Sequence, residues 1–172
     1  MPTLYVVATP IGNLQDMSPR GVETLKGVGL IAAEDTRVTR KLTAHFGIST
    51  PLTSCHAHNE AGKAQWIVER MGEEGMDVAL TTDAGTPAIS DPGHLLVQKA
   101  WEAGFLVSPV PGPAAMAAAL SICGFDTRTF AFYGFLPRGK KELRERLLHI
   151  SRGVPVAVIH ESPHRVVALM EV

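Results

Sequence analysis

Asp83-Ala84-Gly85-Thr86-Pro87-Ala88-Ile89-Ser90-Asp91-Pro92-Gly93 is the stretch on which the reading of this chain turns. It follows the apolar run Asp77 to Thr82, which reads as a buried strand, and precedes His94 to Ala103, which reads as a helix. It is therefore a long loop from a strand into a helix. Gly85 and Gly93 permit close backbone approach or positive φ, Pro87 and Pro92 stiffen the path, and Asp91-Pro92 has the form of an N-cap followed by the first helical residue. Loops at the carboxyl ends of strands are where open α/β sheets bind ligands, so a site is expected here first.

Upstream, Leu4 to Thr9 is a continuous apolar, β-branched run of strand length closed by Pro10-Ile11-Gly12-Asn13. Ser18-Pro19 opens a helix that reaches Gly27, and Gly29 to Ala33 reads as a second strand. Asp35 or Thr36 then caps a helix whose apolar residues Val38, Leu42 and Phe46 recur at i, i+4 and i+8. Pro51 to His56 is extended. A helix begins at Asn59 with Ala64, Ile67, Val68 and Met71 facing inward, and Gly72 and Gly75 are expected to end it. Downstream, Phe105 to Val110 is a fifth strand. The alternation βαβαβαβαβ predicts a parallel sheet covered on both faces.

Pro111-Gly112-Pro113 breaks the pattern, and a domain boundary is expected near Gly112, giving an N-terminal α/β domain over 1–112 and a second, mixed α/β domain over 113–172. In the second, Ala114 to Ile122 reads as a helix, and strands at Phe130 to Phe135 and Pro155 to His160 flank a basic amphipathic helix at Lys140 to Ile150. The last residues, from Ser162-Pro163-His164-Arg165, start a helix with no C-cap, so this domain reads as incomplete.

With 172 residues, 45% of them hydrophobic, and a net charge of −1, the composition is that of a globular protein with a real core. No apolar run approaches the roughly 18 residues of a membrane span, and the start lacks the features of a signal peptide, so a cytoplasmic location with no membrane partner is expected. Cys55 and Cys123 have no CxxC spacing and are expected to be buried small hydrophobes. Residues 1–137 carry a balance of −4 and residues 138–172 one of +3. That asymmetry suits an anionic partner, although a solvated helix face is the commoner reason for it.

Gly134 to Lys141 has the GxxxxGK spacing of a phosphate-binding loop, but Lys141 stands where a magnesium-ligating hydroxyl belongs and Pro137 removes one cradling N–H, so a nucleotide hydrolase is not expected. Neither GxGxxG nor GxSxG is present where it would count. His56 and His58 share one face of an extended segment without the further ligands a metal site needs, so no metal is expected. Arg37, Arg40 and Lys41, three and four apart, fall on one helix face, either as a phosphate-contacting stripe or as a solvated surface.

The segments LYVVATPIGNL (4–14), IAAEDTRVTRKL (31–42), HFGIST (45–50), HNE (58–60), DAGTPAISDPG (83–93), PGPAA (111–115), GFLP (134–137) and ESPHR (161–165) together resemble the small-subunit ribosomal RNA methyltransferase I family, within the tetrapyrrole methylase-like (class III) methyltransferases. The resemblance runs along the whole chain in the family's order. Ala114 departs from it, since members often carry Ser or another small polar residue after PGP.

The resemblance implies methyl transfer from S-adenosyl-L-methionine to a cytidine ribose 2′-hydroxyl of small-subunit ribosomal RNA, by a homodimer. It assigns the cofactor to the loops after the first, fourth and fifth strands, here Pro10 and Gly12, Asp83, Ala84, Gly85 and Thr86, and Pro111, Gly112, Ala114 and Ala115. Asp83 would face the cofactor's positive end. Glu34, Asp35 and His56 lie in loops near that mouth and are candidate general bases. Arg37, Arg40 and Lys41 would hold RNA phosphates. The competing expectations are a methyltransferase acting on a tetrapyrrole-type small molecule and a non-catalytic RNA-binding module.

Overall fold

Short runs of branched and small apolar residues become strands, and the central ones, Leu30–Ala33 and Val78–Thr81, are buried at every residue. The computed structural model describes residues 1–172. Five strands, β1 (Thr3–Val7), β2 (Leu30–Ala33), β3 (Leu52–Ser54), β4 (Val78–Thr81) and β5 (Leu106–Val110), form one sheet in the order β3-β2-β4-β1-β5. Every pairing in it is parallel, with Leu4 opposite Val78 and Val107, and Leu30 also opposite Val78. Four helices connect the strands: α1 (Pro19–Gly27), α2 (Thr36–His45), α3 (Glu60–Glu74) and α4 (His94–Glu102).

Side chains alternate across the pleat and so divide the core in two. Leu4, Leu30, Ala32, Val78 and Leu80 pack with Ala64, Ile67, Val68 and Met71 of α3 and with Leu96 and Ala100 of α4. On the other face Val7, Ile31, Ala79 and Val110 pack with Leu25 of α1 and with Met17, Val28 and Ile48.

Four local expectations are corrected. The N-cap of α4 is Gly93, whose side gives no cap; instead the buried Glu60 carboxylate accepts the Gly93 and Leu95 N–H groups, both at 2.8 Å, and displaces Asp91-Pro92 from the capping role. The helix α3 runs through Gly72, just after the buried Val68 and Met71, and stops only at Gly75, which takes the left-handed conformation at φ 63°. Val38 is 38% exposed, and the inward face of α2 is Thr39, Leu42 and Thr43. Cys123 is half-buried, its thiol donating to Leu120 O, whereas burial in the core pushes the Cys55 thiol up to about 11.

By its contacts the chain divides into Met1–Ala115 and Met116–Val172. The second unit holds α5 (Ala115–Ile122) from its second residue onward, the parallel pair β6 (Ala131–Phe135) and β7 (Ala157–His160), α6 (Lys140–Ile150) joining them, and α7 (Val166–Met170). Its core is Leu136, Leu143 and Ile150, backed by Tyr133, Leu147, Ile159 and Leu169.

Candidate active site

Parallel strands send all their outgoing loops to one edge of the sheet, and the adjacency of β1 to both β4 and β5 brings three of those loops together. Thr9 and Gly85 form a reciprocal bridge: Thr9 N–H donates to Gly85 O at 2.8 Å, and Gly85 N–H to Thr9 O at 3.0 Å. The buried Thr9 hydroxyl donates to Thr82 O at 3.1 Å. The loop after β5 is tied in by Ala8 N–H to Val110 O at 3.2 Å and by the Thr86 hydroxyl to Pro113 O at 3.3 Å. Pro10, Gly12, Asp83 to Thr86 and Pro111 to Ala115 thus belong to three loops joined by hydrogen bonds.

Gly85 has φ +91°, while a Cβ built there meets only ordinary contacts, Ile11 Cγ2 at 3.6 Å and Pro113 O at 3.9 Å. Its requirement for glycine is conformational rather than one of room. Ala88 and Ser90 also lie on the left-handed side, at φ 65° and 61°, a strain of about 1–2 kcal/mol each that no sequence pattern announced. The Ala88 N–H bond to Pro92 O at 3.3 Å and the Glu60 bonds at Gly93 and Leu95 hold the loop in that shape.

A recess of about 430 Å³ beside this loop is lined by Glu34, Asp35, Thr36, Arg37, Ser54, His56 and Asp83, so the three candidate bases and Asp83 share one wall. Glu34 accepts from the Thr82 hydroxyl and from Asp83 N–H, and Asp83 accepts from Asp35 N–H at 3.1 Å. Burial, then the neighbouring Glu34 carboxylate, with Asp35 and Asp91 adding, push the Asp83 carboxyl above its ordinary range. Asp35 behaves oppositely. The Arg37 guanidinium grips it at 2.6 Å, Arg37 N–H donates to it at 2.8 Å, and its carboxyl is held down to about 2. Such a group makes a weak proton acceptor at neutral pH. His56 donates its backbone N–H to Asn59 Oδ1 at 2.8 Å, and its buried Nδ1 has no partner.

A second cavity, about 240 Å³, opens on the other side of Asp83 between the loop after β1 and helix α2; Thr9, Pro10, Gly12, Asn13, Leu14, Val38, Thr39, Lys41, Leu42, Thr82 and Asp83 line it. The proposed phosphate contacts are thereby separated. Lys41 reaches this cavity, Arg37 lines the acidic recess while paired with Asp35, and Arg40 lines neither. Sequence reading missed Thr9, Thr82, Thr39 and the apolar walls of this cavity. A signal for one of them existed, since Thr39 falls on the inward side of a helix where an apolar residue is the norm.

Electrostatically the acidic wall suits a cationic group, and a positive charge beside Asp83 offsets the burial and the neighbouring carboxylates that raise its pKa. The ammonium and sulfonium of S-adenosylmethionine are groups of the charge that wall suits.

Comparison with known proteins gives concordant results. Relatives called "Ribosomal RNA small subunit methyltransferase I" are 51% identical in Xylella fastidiosa strain Temecula1, over 95% of this chain and 60% of the relative, and 48% identical in Vibrio cholerae, over 96% and 57%. A namesake in Synechocystis is 47% identical over 99% of this chain and 61% of its own length. The chain thus spans about three-fifths of the curated relatives it matches. The same fold is found in uroporphyrin-III-C-methyltransferase from Thermus thermophilus, with TM-score 0.60, 19% identity and coverage of 87% of this chain and 74% of that one. It recurs in a diphthine synthase with TM-score 0.66, 13% identity and coverage of 95% and 66%. The family model described as "Tetrapyrrole (Corrin/Porphyrin) Methylases" matches residues 3–172, and with the parallel sheet and the clustered strand-end loops it places this chain in the tetrapyrrole methylase family.

Proposed function

We propose that this protein transfers a methyl group from S-adenosylmethionine to the 2′-hydroxyl of a cytidine in small-subunit ribosomal RNA. The observation that carries this reading is the near-half identity, along nearly all of the chain, to relatives whose name is a small-subunit ribosomal RNA methyltransferase. The joined loops and the acidic wall supply a fitting cofactor seat, and α2 supplies cations beside it.

Bound at those loops, S-adenosylmethionine supplies a methyl group on a cationic sulfur that is a good leaving group. The protein's share is mainly alignment: Asp83 and the loops that the Thr9–Gly85 bridge holds together fix one reactant while α2 fixes the other, and such positioning is worth up to about 7–11 kcal/mol. A base removing the 2′-hydroxyl proton adds roughly 10²–10⁴ in rate. Asp35, committed to Arg37, is the weakest of the three candidates, and Glu34 is occupied by Thr82 and Asp83.

The test is calorimetry with S-adenosylmethionine together with transfer of labelled methyl into small-subunit RNA that lacks the modification. Cofactor binding without label in RNA favours a small-molecule methyltransferase, and the absence of both binding and label sinks the enzymatic reading altogether.

On the same reading, α2 contacts phosphates. Each neutralised phosphate releases counterions, with a slope of about 0.7–0.9 in log affinity against log salt. The Arg37→Ala, Lys41→Ala double variant is expected to bind RNA more weakly, with a salt slope flatter by about 1–2 units for two contacts. An unaltered slope identifies the stripe as a solvated face.

We propose further that the protein is a cytoplasmic homodimer. Ile122 is 85% and Phe125 71% exposed, an apolar surface of the kind that associates. Sedimentation across a wide concentration range should show a dimer, and a monomer throughout overturns it. No helix is long and apolar enough to cross a membrane.

A further inference from the structure

The cavity between the loop after β1 and helix α2 contains a polar group that the fold does not use. Thr39 is 2% exposed and its hydroxyl has no hydrogen-bond partner. The other buried threonines whose hydroxyl bonds are known differ from it: Thr9 donates to Thr82 O, Thr43 to Arg40 O, Thr81 to Ala32 O and Thr82 to Glu34. A helical threonine ordinarily satisfies itself on a carbonyl of the preceding turn, and Thr39 does not. Leaving a buried hydroxyl orphaned is costly, so its retention in a cavity wall points to a ligand.

The rest of the wall specifies the ligand's class. Leu14, Val38 and Leu42 are apolar, Asn13 presents an amide, and Lys41 carries an unpaired ammonium. About 240 Å³ lies below the roughly 300–1,000 Å³ usual for a drug-sized ligand, which suits one flat heterocycle better than a whole cofactor. A planar ring with hydrogen-bonding edges and a neighbouring phosphate matches apolar walls, a hydroxyl, an amide and one lysine. Enzymes acting on a single residue of a nucleic acid commonly seat an unstacked base in this way.

We propose that this cavity seats the pyrimidine base of one RNA nucleotide, with Thr39 hydrogen-bonded to the base edge and Lys41 to the adjoining phosphate. The proposal rests on the RNA methyltransferase reading and adds to it the pocket that presents the nucleotide. Its place against Thr82 and Asp83 puts the ribose beside the loop assigned to the cofactor.

The experiment follows the methyl NMR signals of Leu14, Val38, Thr39 and Leu42 in the intact chain during titration with cytidine 5′-monophosphate, cytidine and S-adenosylhomocysteine. The monophosphate should shift these methyls at lower concentration than cytidine does, and Lys41→Ala should remove that difference. Thr39→Val should weaken the monophosphate roughly 3- to 10-fold, the worth of one neutral hydrogen bond, without loss of thermal stability. Val38→Trp, at a half-exposed position that tolerates a larger side chain, should block entry altogether. The proposal is overturned if the monophosphate leaves these methyls unmoved, if S-adenosylhomocysteine moves them in its place, or if Thr39→Val binds as the wild type does. Cofactor calorimetry separates the two readings. Label transferred to RNA with no nucleotide in the cavity rejects the pocket alone, and nucleotide in the cavity with no cofactor bound rejects the methyltransferase.

Discussion

Gly85→Val is expected to abolish binding of S-adenosylmethionine, by roughly 100-fold or more, while the protein remains folded; a loss of that size is about 2.7 kcal/mol. The reason lies in φ +91° rather than in crowding, since a Cβ at Gly85 meets nothing nearer than 3.6 Å. A β-branched residue on that side of φ space is a genuine outlier, and the chain relieves it by rotating out of the Thr9–Gly85 bridge. Both bridge hydrogen bonds then go, and with them the seat that holds Asp83 against the loop after β1. Sheet and helices survive because Gly85 lies outside every strand and helix. Gly85→Ala, with no branch at Cβ, should lose less, about 10-fold. Isothermal calorimetry with a circular-dichroism control measures both variants. Unchanged affinity in folded Gly85→Val moves the cofactor site away from this loop.

The parts of this fold that were legible in sequence are those set by local pattern. β1, β2, β4 and β5 were visible as apolar runs of strand length, and Ser18-Pro19 marked the start of α1 with the Ser18 hydroxyl accepting from Gly21 N–H at 3.0 Å. Asp35 was one of two residues named as the cap of α2, and it is the cap. What failed to show was set by contacts distant in sequence. Asp91-Pro92 carries the local signature of a helix start, but Glu60, more than thirty residues earlier, supplies the acceptor and the cap falls two residues later, at Gly93. Val38 fits the i, i+4, i+8 pattern with Leu42 and Phe46, and nothing local says that the loop after β1 leaves a cavity over it. For the site, residue types and order along the chain pointed to the strand-end loops. The commitment of Asp35 to Arg37, the raised Asp83 and the orphaned Thr39 arise from side-chain geometry that one sequence does not encode legibly.

Glu60→Ala should be strongly destabilising although it leaves the sheet and the apolar core untouched. Its side chain is 4% exposed, and one oxygen, Oε1, takes the N–H groups of both Gly93 and Leu95. Helix α4 therefore begins on a buried carboxylate from α3 rather than on a neighbour in sequence. Removing it leaves two N–H groups with no acceptor where water enters poorly, at about 1–3 kcal/mol each. It also removes a negative charge from the positive end of the α4 dipole, worth a further 0.3–1 kcal/mol or so. Discounted for relaxation, the expected loss is about 2–4 kcal/mol, or roughly 5–15 °C in the melting midpoint for a chain of this size. Glu60→Gln separates the two contributions. A carboxamide oxygen can accept the same two N–H groups, so this variant should lose about 1 kcal/mol, the charge-assisted part. Because Gly93 closes the Asp83 loop, Glu60→Ala should also release the strained Ala88–Ser90 segment and weaken the cofactor, whereas Glu60→Gln should bind it nearly as the wild type does. Equal melting midpoints for Glu60→Ala and the wild type would show that α4 is capped by some other group and that the loop holds its shape without α3.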